Sequence, residues 1–256
     1  MSDHEQSLVR TLTVPAMGPA HFIRNFIDQA VCELRFPTLY ELEGPKPPAK
    51  FALALRKEYP IQELVESVNL GSVQPTRANM HVFKSKKQRW TVTLKAASIV
   101  LETKHYDSFS EFNDRLIAIL NAAVPVIDSD FFTRVGLRYV NVIPFPRGEI
   151  QDWVNSALVG PLGDGVYGDV AEHSGRVIGI TPHGGYMLQH GLVIDNSVSG
   201  LQKYSLDFDF SQEDVPLSET MSTVQKLHEL EFSTFCWALG PAAKAHLGPS
   251  TMKEGT

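Results

Sequence analysis

The segment TRVGLRYVNVIPFP, residues 133–146, decides the fold because its residues alternate as they do in a long β-strand. One predicted face carries Val135, Leu137, Tyr139, Asn141 and Ile143. The other face carries Arg134 and Arg138 on either side of Gly136. Two arginines on an otherwise apolar strand are costly unless an acid or an external anion pairs with them. The groups that pair with these arginines therefore decide the role of this strand.

Acidic residues occupy alternate positions on two further predicted strands, at 30–36 and 202–210. If these strands flank the segment at 133–146 with their charged faces aligned, three acids face three arginines. The acids are Glu33, Asp207 and Asp209, and the arginines are Arg35, Arg134 and Arg138. We predict that these six residues form a structural charge ladder across the sheet. The alternative is an anion site in which the three arginines bind a phosphate.

A second group of cations lies in a predicted turn between two strands. It contains Lys84, Lys86, Lys87 and Arg89. A solvated hairpin tip is the ordinary role of such a turn, because charge at a tip opposes aggregation. The alternative is a ligand- or anion-binding tip that contacts phosphates, with Trp90 and Tyr106 as stacking groups.

The composition indicates a soluble globular protein of 256 residues with a net charge of −6. This charge argues against capture of nucleic acid or anionic lipid by the whole surface. Cys32 and Cys236 lie in apolar contexts, which is typical of buried thiols in a reducing compartment. Neither a signal peptide nor a membrane-spanning segment is predicted. We therefore expect a cytoplasmic protein with no membrane partner.

The order of predicted elements divides the chain into two similar halves, 20–128 and 129–240, between a flexible N-terminal arm at 1–19 and a flexible tail at 241–256. Strands are predicted at 30–36, 79–85, 89–95 and 97–104 in the first half, and at 133–146, 174–181, 185–189, 191–197 and 202–210 in the second. Helices are predicted at 51–59, 109–125, 149–158 and 217–239, with a glycine-rich loop at 160–168.

Two of these helices are long and amphipathic. Ser108 and Glu111 form an S-x-x-E capping box before the first, and Gly240 with Pro241 ends the second. Helices on one face of an antiparallel sheet define an α+β fold. We predict two similar β-α-β(3-4)-α halves that form one curved antiparallel sheet with both long helices on the same face.

No residue pattern specifies a catalytic activity. The chain has no HExxH or CxxC motif, no P-loop and no GxSxG elbow, so we assign no catalytic residue, no metal ligand and no cofactor. His173, His183 and His190 lie in one region but not at metal-ligand spacing. A pocket between sheet and helices, lined by Trp90, Trp153 and Tyr139, is kept as an alternative.

Several short segments resemble an uncharacterised, sporadically distributed prokaryotic family of about this length with an R-x-G-L-R-Y-x-N core strand. The segments are VCELRFP at 31–37, FALALRKEYP at 51–60, RVGLRYVNVI at 134–143, YSLDFDF at 204–210 and LHELEFSTF at 227–235. In its order of elements the chain also resembles the TATA-binding-protein saddle or a tandem helix-grip fold. Members of such families occur beside toxin–antitoxin or phage-defence genes.

The resemblance and the absence of a catalytic motif favour a non-enzymatic binding or regulatory protein. It would be an accessory or antitoxin-like component of a bacterial defence or toxin–antitoxin locus. Its partner would be another protein, encoded by a neighbouring gene. Two alternatives stay open: a sheet that binds nucleic acid or nucleotides, and a small-molecule pocket in a binding protein or enzyme.

Overall fold

The structure is a computed structural model that describes residues 10–15, 21–69, 76–163, 165–193 and 201–250. Nine strands form one antiparallel sheet in the order β3-β4-β5-β6-β2-β7-β10-β9-β8. Their bounds are β2 (Ile27–Arg35), β3 (Ile61–Asn69), β4 (Thr76–Lys84), β5 (Trp90–Lys95), β6 (Ser98–Thr103), β7 (Phe131–Pro146), β8 (Ser174–Ile180), β9 (Gly185–Val193) and β10 (Leu201–Pro216). A separate pair joins β1 (His21–Phe22) to β11 (Pro249–Ser250).

Six α-helices are present in the described part of the chain. They are α1 (Ala49–Leu55), α2 (Phe109–Ile127), α3 (Ile150–Trp153), α4 (Ser156–Gly163), α5 (Thr220–Ala238) and α6 (Pro241–Leu247). Side-chain contacts place α2 and α5 on the same face of the sheet, because Trp90 on β5 packs on Phe112 and Tyr139 on β7 bonds to His228. The prediction of an α+β fold with a large antiparallel sheet and both long helices on one face is confirmed.

Strand β7 lies at the centre of the sheet, between β2 and β10. Its alternation is the one read from the sequence: Val135, Leu137 and Tyr139 face the helices and are buried. We call this side the helix face and the side that carries Arg134 and Arg138 the open face. The core lies between the helix face and the helices, where apolar burial supplies most of the stabilisation.

Helix α2 begins as the sequence predicts, since the Oγ of Ser108 accepts a hydrogen bond from the backbone N–H of Glu111 at 3.2 Å. The reciprocal bond of a capping box is replaced, because the Glu111 carboxylate accepts hydrogen bonds from Arg115 instead. The helix runs through Pro125 to Ile127 and ends at Asp128 in the left-handed conformation. Pro125 cannot donate a hydrogen bond to the carbonyl four residues before it, and the helix ends two residues later.

Three predicted boundaries are wrong in the second half. The break predicted between the strands at 185–189 and 191–197 is absent, because one strand, β9, continues through Gly191 to Val193; residues 194–197 lie outside the described residues. The helix predicted at 149–158 is two short helices, α3 and α4, because Val154 between them is extended and pairs with Leu239. Helix α4 also takes in the start of the predicted loop at 160–168 and ends at Gly163.

Gly240 has an extended backbone and does not end α5 in the left-handed conformation. It precedes Pro241, which opens α6, so the segment predicted as a flexible tail from 241 begins with a helix. Likewise, Leu12 in the predicted arm packs against the core and donates its N–H to Ile180 O at 2.8 Å. The sequence of the segment 61–73 is ambiguous and allows a strand; the structure forms strand β3, Ile61–Asn69, there, and residues 70–73 lie outside the described residues.

Neither long helix resembles a membrane span: within the described ranges, none of the helices combines the length and the apolar character that crossing a bilayer requires. Cys32 and Cys236 are both buried free thiols.

Candidate functional site

The open face brings the six residues of the predicted charge ladder into contact. Arg134 Nη2 donates to Asp209 Oδ1 at 2.7 Å, and its Nη1 donates to Glu33 Oε2 at 3.3 Å. Arg138 donates from Nε and Nη2 to the two oxygens of Asp207, both at 2.7 Å. Bidentate geometry of this kind gives the strongest arginine–carboxylate pairs. The hydrogen bonds to Asp207 raise the pKa of Arg138, so it stays charged.

Gly136 makes the central contact of the ladder possible. The guanidinium of Arg134 folds back along β7 and lies over Gly136, in the space that a Cβ atom would occupy. In the strand register, Gly136 lies opposite Glu33 on β2 and Ser211 on β10. The glycine of the R-x-G-L-R motif therefore lets one arginine reach acids on both neighbouring strands.

The ladder argues against a free anion site at these arginines. Arg134 is only 20% exposed and already contacts two carboxylates. Arg138 is 41% exposed and Arg35 is 53% exposed, but each bonds an acid as well. A phosphate would have to displace these acids, and the acids would repel it.

The basic turn is separate from the ladder. Arg138 on β7 pairs with Val31 on β2, and Val31 pairs with Glu102 on β6. Glu102 in turn pairs with Thr91 on β5, which lies beside the basic turn. The basic turn therefore lies three strand spacings, or roughly 14 Å, from Arg138. Lys84 bonds Glu63 at 2.7 Å. Lys86, Lys87 and Arg89 are exposed, and among the described residues no ion partner lies beside any of them. The sheet therefore does not gather all the predicted cations into one surface.

The predicted histidine and tryptophan residues do not form one site. His190 Nδ1 lies 2.6 Å from Tyr204 Oη, and His173 Nδ1 lies 3.5 Å from the same atom. In the portion of the chain that the structure describes, no group of His, Cys, Asp or Glu is placed to hold a metal ion. Trp90 is in the core under the Arg115 guanidinium, 4.5 Å from its ring centre.

A cavity of about 600 Å³ lies between the helix face and α5, and is partly open to solvent. Its floor is β7 with Tyr139 and Asn141. Its sides are α5, the segment 21–27, and the connection from β6 to α2 at 106–109. The predicted pocket therefore exists, but of its three predicted lining residues only Tyr139 contributes; Trp90 and Trp153 lie elsewhere.

His228 on α5 forms one wall of the cavity. Its ring stacks on Phe109 with a centroid distance of 3.8 Å and an interplanar angle of 2°, and its Nδ1 lies 3.1 Å from Tyr139 Oη. Burial lowers the pKa of His228 to about 4. Burial also raises the pKa of the Tyr139 hydroxyl well above its ordinary value. Both groups are therefore neutral near pH 7, and they form a polar but uncharged pair.

Glu231, one turn further along α5, also lines the cavity. It is 1% exposed, and neither carboxyl oxygen makes a hydrogen bond of good geometry within the described structure. Burial raises the pKa of Glu231 well above its ordinary value, and the negative charge of Asp209 raises it further. The backbone N–H of Phe210 lowers the pKa by stabilising the charged carboxylate. An unpartnered buried carboxyl group costs about 1–3 kcal/mol, so its presence requires an explanation.

Neither His228 nor Glu231 was predicted as a site residue from the sequence. A signal was present, however. His228 and Glu231 fall four and seven residues after Val224, which places a histidine and an acid on the apolar stripe of a helix. An ionisable residue at a core position is a functional candidate when it lies at a cavity.

No model of a known protein family matches this sequence, and a comparison with curated proteins finds no significant similarity. The resemblance to a sporadic prokaryotic family therefore stays a prediction.

Proposed function

We propose that the protein is a non-enzymatic binding protein whose ligand is a small molecule held in the cavity between β7 and α5. The observation that carries this proposal is the cavity itself, whose volume of about 600 Å³ is typical of ligand sites. Most of its lining surface is apolar and comes mainly from aromatic rings, and ten polar or charged residues contribute the rest. Such a surface gains affinity from apolar burial and orientation from its polar atoms.

Two features of the cavity support binding over simple imperfect packing. Its walls are ordered by ring stacking, as between His228 and Phe109, and by the Tyr139–His228 contact. It also leaves Glu231 without a hydrogen-bond partner. A packing defect in an apolar core has neither feature, whereas a ligand supplies the missing contacts.

The proposal is tested by a fragment screen with ligand-observed NMR on the whole protein. Gln225 is exposed on α5 and lines the cavity, and Lys226 beside it is exposed and does not. We expect Gln225→Trp to abolish binding of the hits by filling the mouth, and Lys226→Trp to leave binding unchanged. A screen without hits, or with hits that ignore Gln225→Trp, would disprove the proposal.

A protein partner is the second candidate, as the family resemblance implies. The open face favours it, because Arg35 and Arg138 are about half-exposed there and can bond a partner as well as their own acids. On this proposal the chain is an accessory or antitoxin-like component that binds the product of a neighbouring gene. Co-expression with that product should yield a complex that Arg138→Glu weakens; a complex insensitive to charge reversal on the open face contradicts it.

A nucleic-acid platform has less support, because the arginines that would contact phosphates already bond carboxylates. Steep salt dependence of binding to RNA or DNA would revive it.

We also propose that the two halves are structural repeats, arranged as in a saddle or a tandem helix-grip fold. The strand order supports this, since β6-β5-β4 follow β2 outward on one side and β10-β9-β8 follow β7 outward on the other. Each half then ends in a long helix, α2 or α5. Superposition of the two halves should align β2, β6 and α2 with β7, β10 and α5; a failure of this alignment would reject the repeat.

A further inference from the structure

The walls of the cavity present several aromatic rings to its interior. They belong to Phe22, Tyr106, Phe109, Tyr139, Phe232 and Phe235. The rings are held by their neighbours: Tyr106 and Tyr139 meet edge to face at 5.5 Å, and Phe22 contacts Phe232 at 5.8 Å. Ring faces carry negative potential and attract cations, most strongly where water is excluded. The aromatic lining therefore suits a positively charged group better than a negative one.

The charged residues around the cavity also favour a positively charged ligand. Three acids line it, Asp107, Glu229 and Glu231, against one arginine, Arg24. Arg24 is exposed and donates to His246 O at 2.9 Å, so it points its charge away to a backbone carbonyl. His228 adds no positive charge near pH 7. An anionic ligand would meet net repulsion here, whereas a cation would meet net attraction.

Glu231 supplies the specific contact. Glu231 lines the cavity, and its two oxygens are buried from solvent and make no hydrogen bond of good geometry with the described residues, although the Phe210 N–H lies close enough to favour the charged form. Contact with a ligand requires the side chain to rotate these oxygens towards the cavity that Glu231 lines. Burial raises the pKa of Glu231 and so favours its protonated form in the empty cavity. An ammonium or amidinium group placed there would displace this proton, give both oxygens hydrogen bonds and compensate the resulting charge. A hydroxyl group would satisfy only one oxygen and compensate no charge.

We infer that the ligand of this cavity is an organic cation, with an amine or amidine group directed at Glu231 and an apolar or aromatic body between the rings of Tyr139, Phe109 and Phe232. This inference rests on the proposed function, because it names the class of ligand for the same cavity. Recognition by an aromatic cage that contains a carboxylate requires no other partner and no catalytic step.

Three indole compounds with the same two-carbon linker test the sign of the charge: tryptamine, tryptophol and indole-3-propionate. Their end groups are positive, neutral and negative at pH 7. We expect isothermal titration to show tryptamine binding at least tenfold more tightly than tryptophol, and indole-3-propionate binding most weakly. Equal affinity for the three, or a preference for the acid, would overturn the cation assignment.

Variants locate the charge recognition. Glu231→Gln keeps the shape of the side chain and cannot become negatively charged when a cation binds, so we expect it to weaken tryptamine at least tenfold and to leave tryptophol unchanged. Asp107→Asn, at the exposed mouth, should weaken tryptamine about threefold through longer-range attraction. Asp114→Asn is the matched control, since Asp114 is exposed on α2 and does not line the cavity.

Failure of the inference is distinguishable from failure of the proposed function. If none of the three indoles binds, but the fragment screen finds neutral or acidic ligands that Gln225→Trp blocks, the cation assignment is wrong and the cavity is still a binding site. If the screen also finds no ligand, both proposals fall. If Glu231→Gln binds tryptamine as tightly as the wild type does, Glu231 is not the recognition group and the inference is wrong.

Discussion

The two faces of the sheet around strand β7 accommodate ionisable groups in opposite ways. On the open face, Arg134 and Arg138 each bond carboxylates at 2.7 Å, and every acid of the ladder has a partner. On the helix face, Glu231 lies near the same strand with neither oxygen bonded. Both arrangements place ionisable groups in the middle of the fold. Only on the open face do other residues of the chain supply hydrogen bonds and opposite charges for them. The difference suggests that the open face is built for stability and the cavity for a ligand.

The largest expected effect comes from removing the central arginine of the ladder. Arg134→Met leaves Asp209 without its partner and leaves Glu33 with only the exposed Arg35; the two acids, 27% and 21% exposed, would face each other across β7. Breaking a buried pair costs about 3–5 kcal/mol, and partial exposure reduces this, so we expect a loss of about 3 kcal/mol in unfolding free energy. Urea denaturation at pH 7 measures it.

Arg35→Met is the matched control for that experiment. Arg35 is 53% exposed, and its partner Glu33 would keep Arg134. We expect a loss below about 1 kcal/mol, as for other surface pairs. Equal losses in the two variants would show that the ladder is not the source of stability, and that the two faces do not differ in the way described above.

The helix face should respond to acid through His228. Its pKa is about 4 in the folded protein against 6.5 ordinarily, so between these values the unfolded chain binds a proton that the folded chain does not. The stability that neutral His228 contributes is therefore complete above pH 6.5 and is lost as the pH falls towards 4, by about 2–3 kcal/mol. In His228→Gln this part of the acid loss should vanish.

Unfolding free energies near pH 7 and pH 4 for the two proteins measure this difference. His183→Gln is the control, since His183 is exposed and lies away from the cavity. Parallel stability curves for the wild type and His228→Gln would mean that His228 is protonated in the fold, and the neutral Tyr139–His228 pair would have to be abandoned.

Gly136→Ala tests how closely the open face is fitted. The new methyl group would occupy the space of the Arg134 guanidinium and push it from Glu33 and Asp209. We expect a loss of about 2 kcal/mol, measured by urea denaturation. In an Arg134→Met background the same alanine should cost much less, because the clash is gone. Additive losses would instead assign the cost to the backbone.

The open face was predictable from the sequence because strands have a period of two. The alternation in RVGLR and LDFDF placed opposite charges on one face, and the matching numbers of acids and arginines indicated their pairing. What the pattern does not contain is the strand order. β2 and β10 pair with β7 although they are distant from it in the sequence. The strand order also places β2 and β6 between Arg138 on β7 and the basic turn beside β5.

The cavity was harder to predict because it depends on how distant segments pack together, and no local sequence pattern encodes an unfilled space. Its lining comes from six strands and helices that are far apart in the sequence, and Trp90 was expected there only because large aromatic residues often line pockets. The two residues that matter most, His228 and Glu231, resemble ordinary polar residues of a long helix unless their position on the apolar stripe is counted. Likewise, Gly191 indicated a turn, but it pairs with Ser205 of β10 within strand β9. Val154 lay in a predicted helix, but it is extended and pairs with Leu239.

The smallest expected effect has the opposite sign to all the others and separates the two faces most clearly. Glu231→Leu removes an unpartnered buried acid and replaces it with an apolar side chain of similar size, so we expect a gain of about 1 kcal/mol in unfolding free energy at pH 7. The pKa of Glu231 is raised well above 4.5 in the fold, so the folded chain keeps a proton that the unfolded chain releases. The wild type therefore loses stability as the pH rises above 4.5, and the advantage of leucine should grow over the same range. Glu229→Leu, at an exposed position of the same helix, should change stability little. A loss of stability in Glu231→Leu would mean that the acid has a partner within the chain, and the helix face would then be built like the open face.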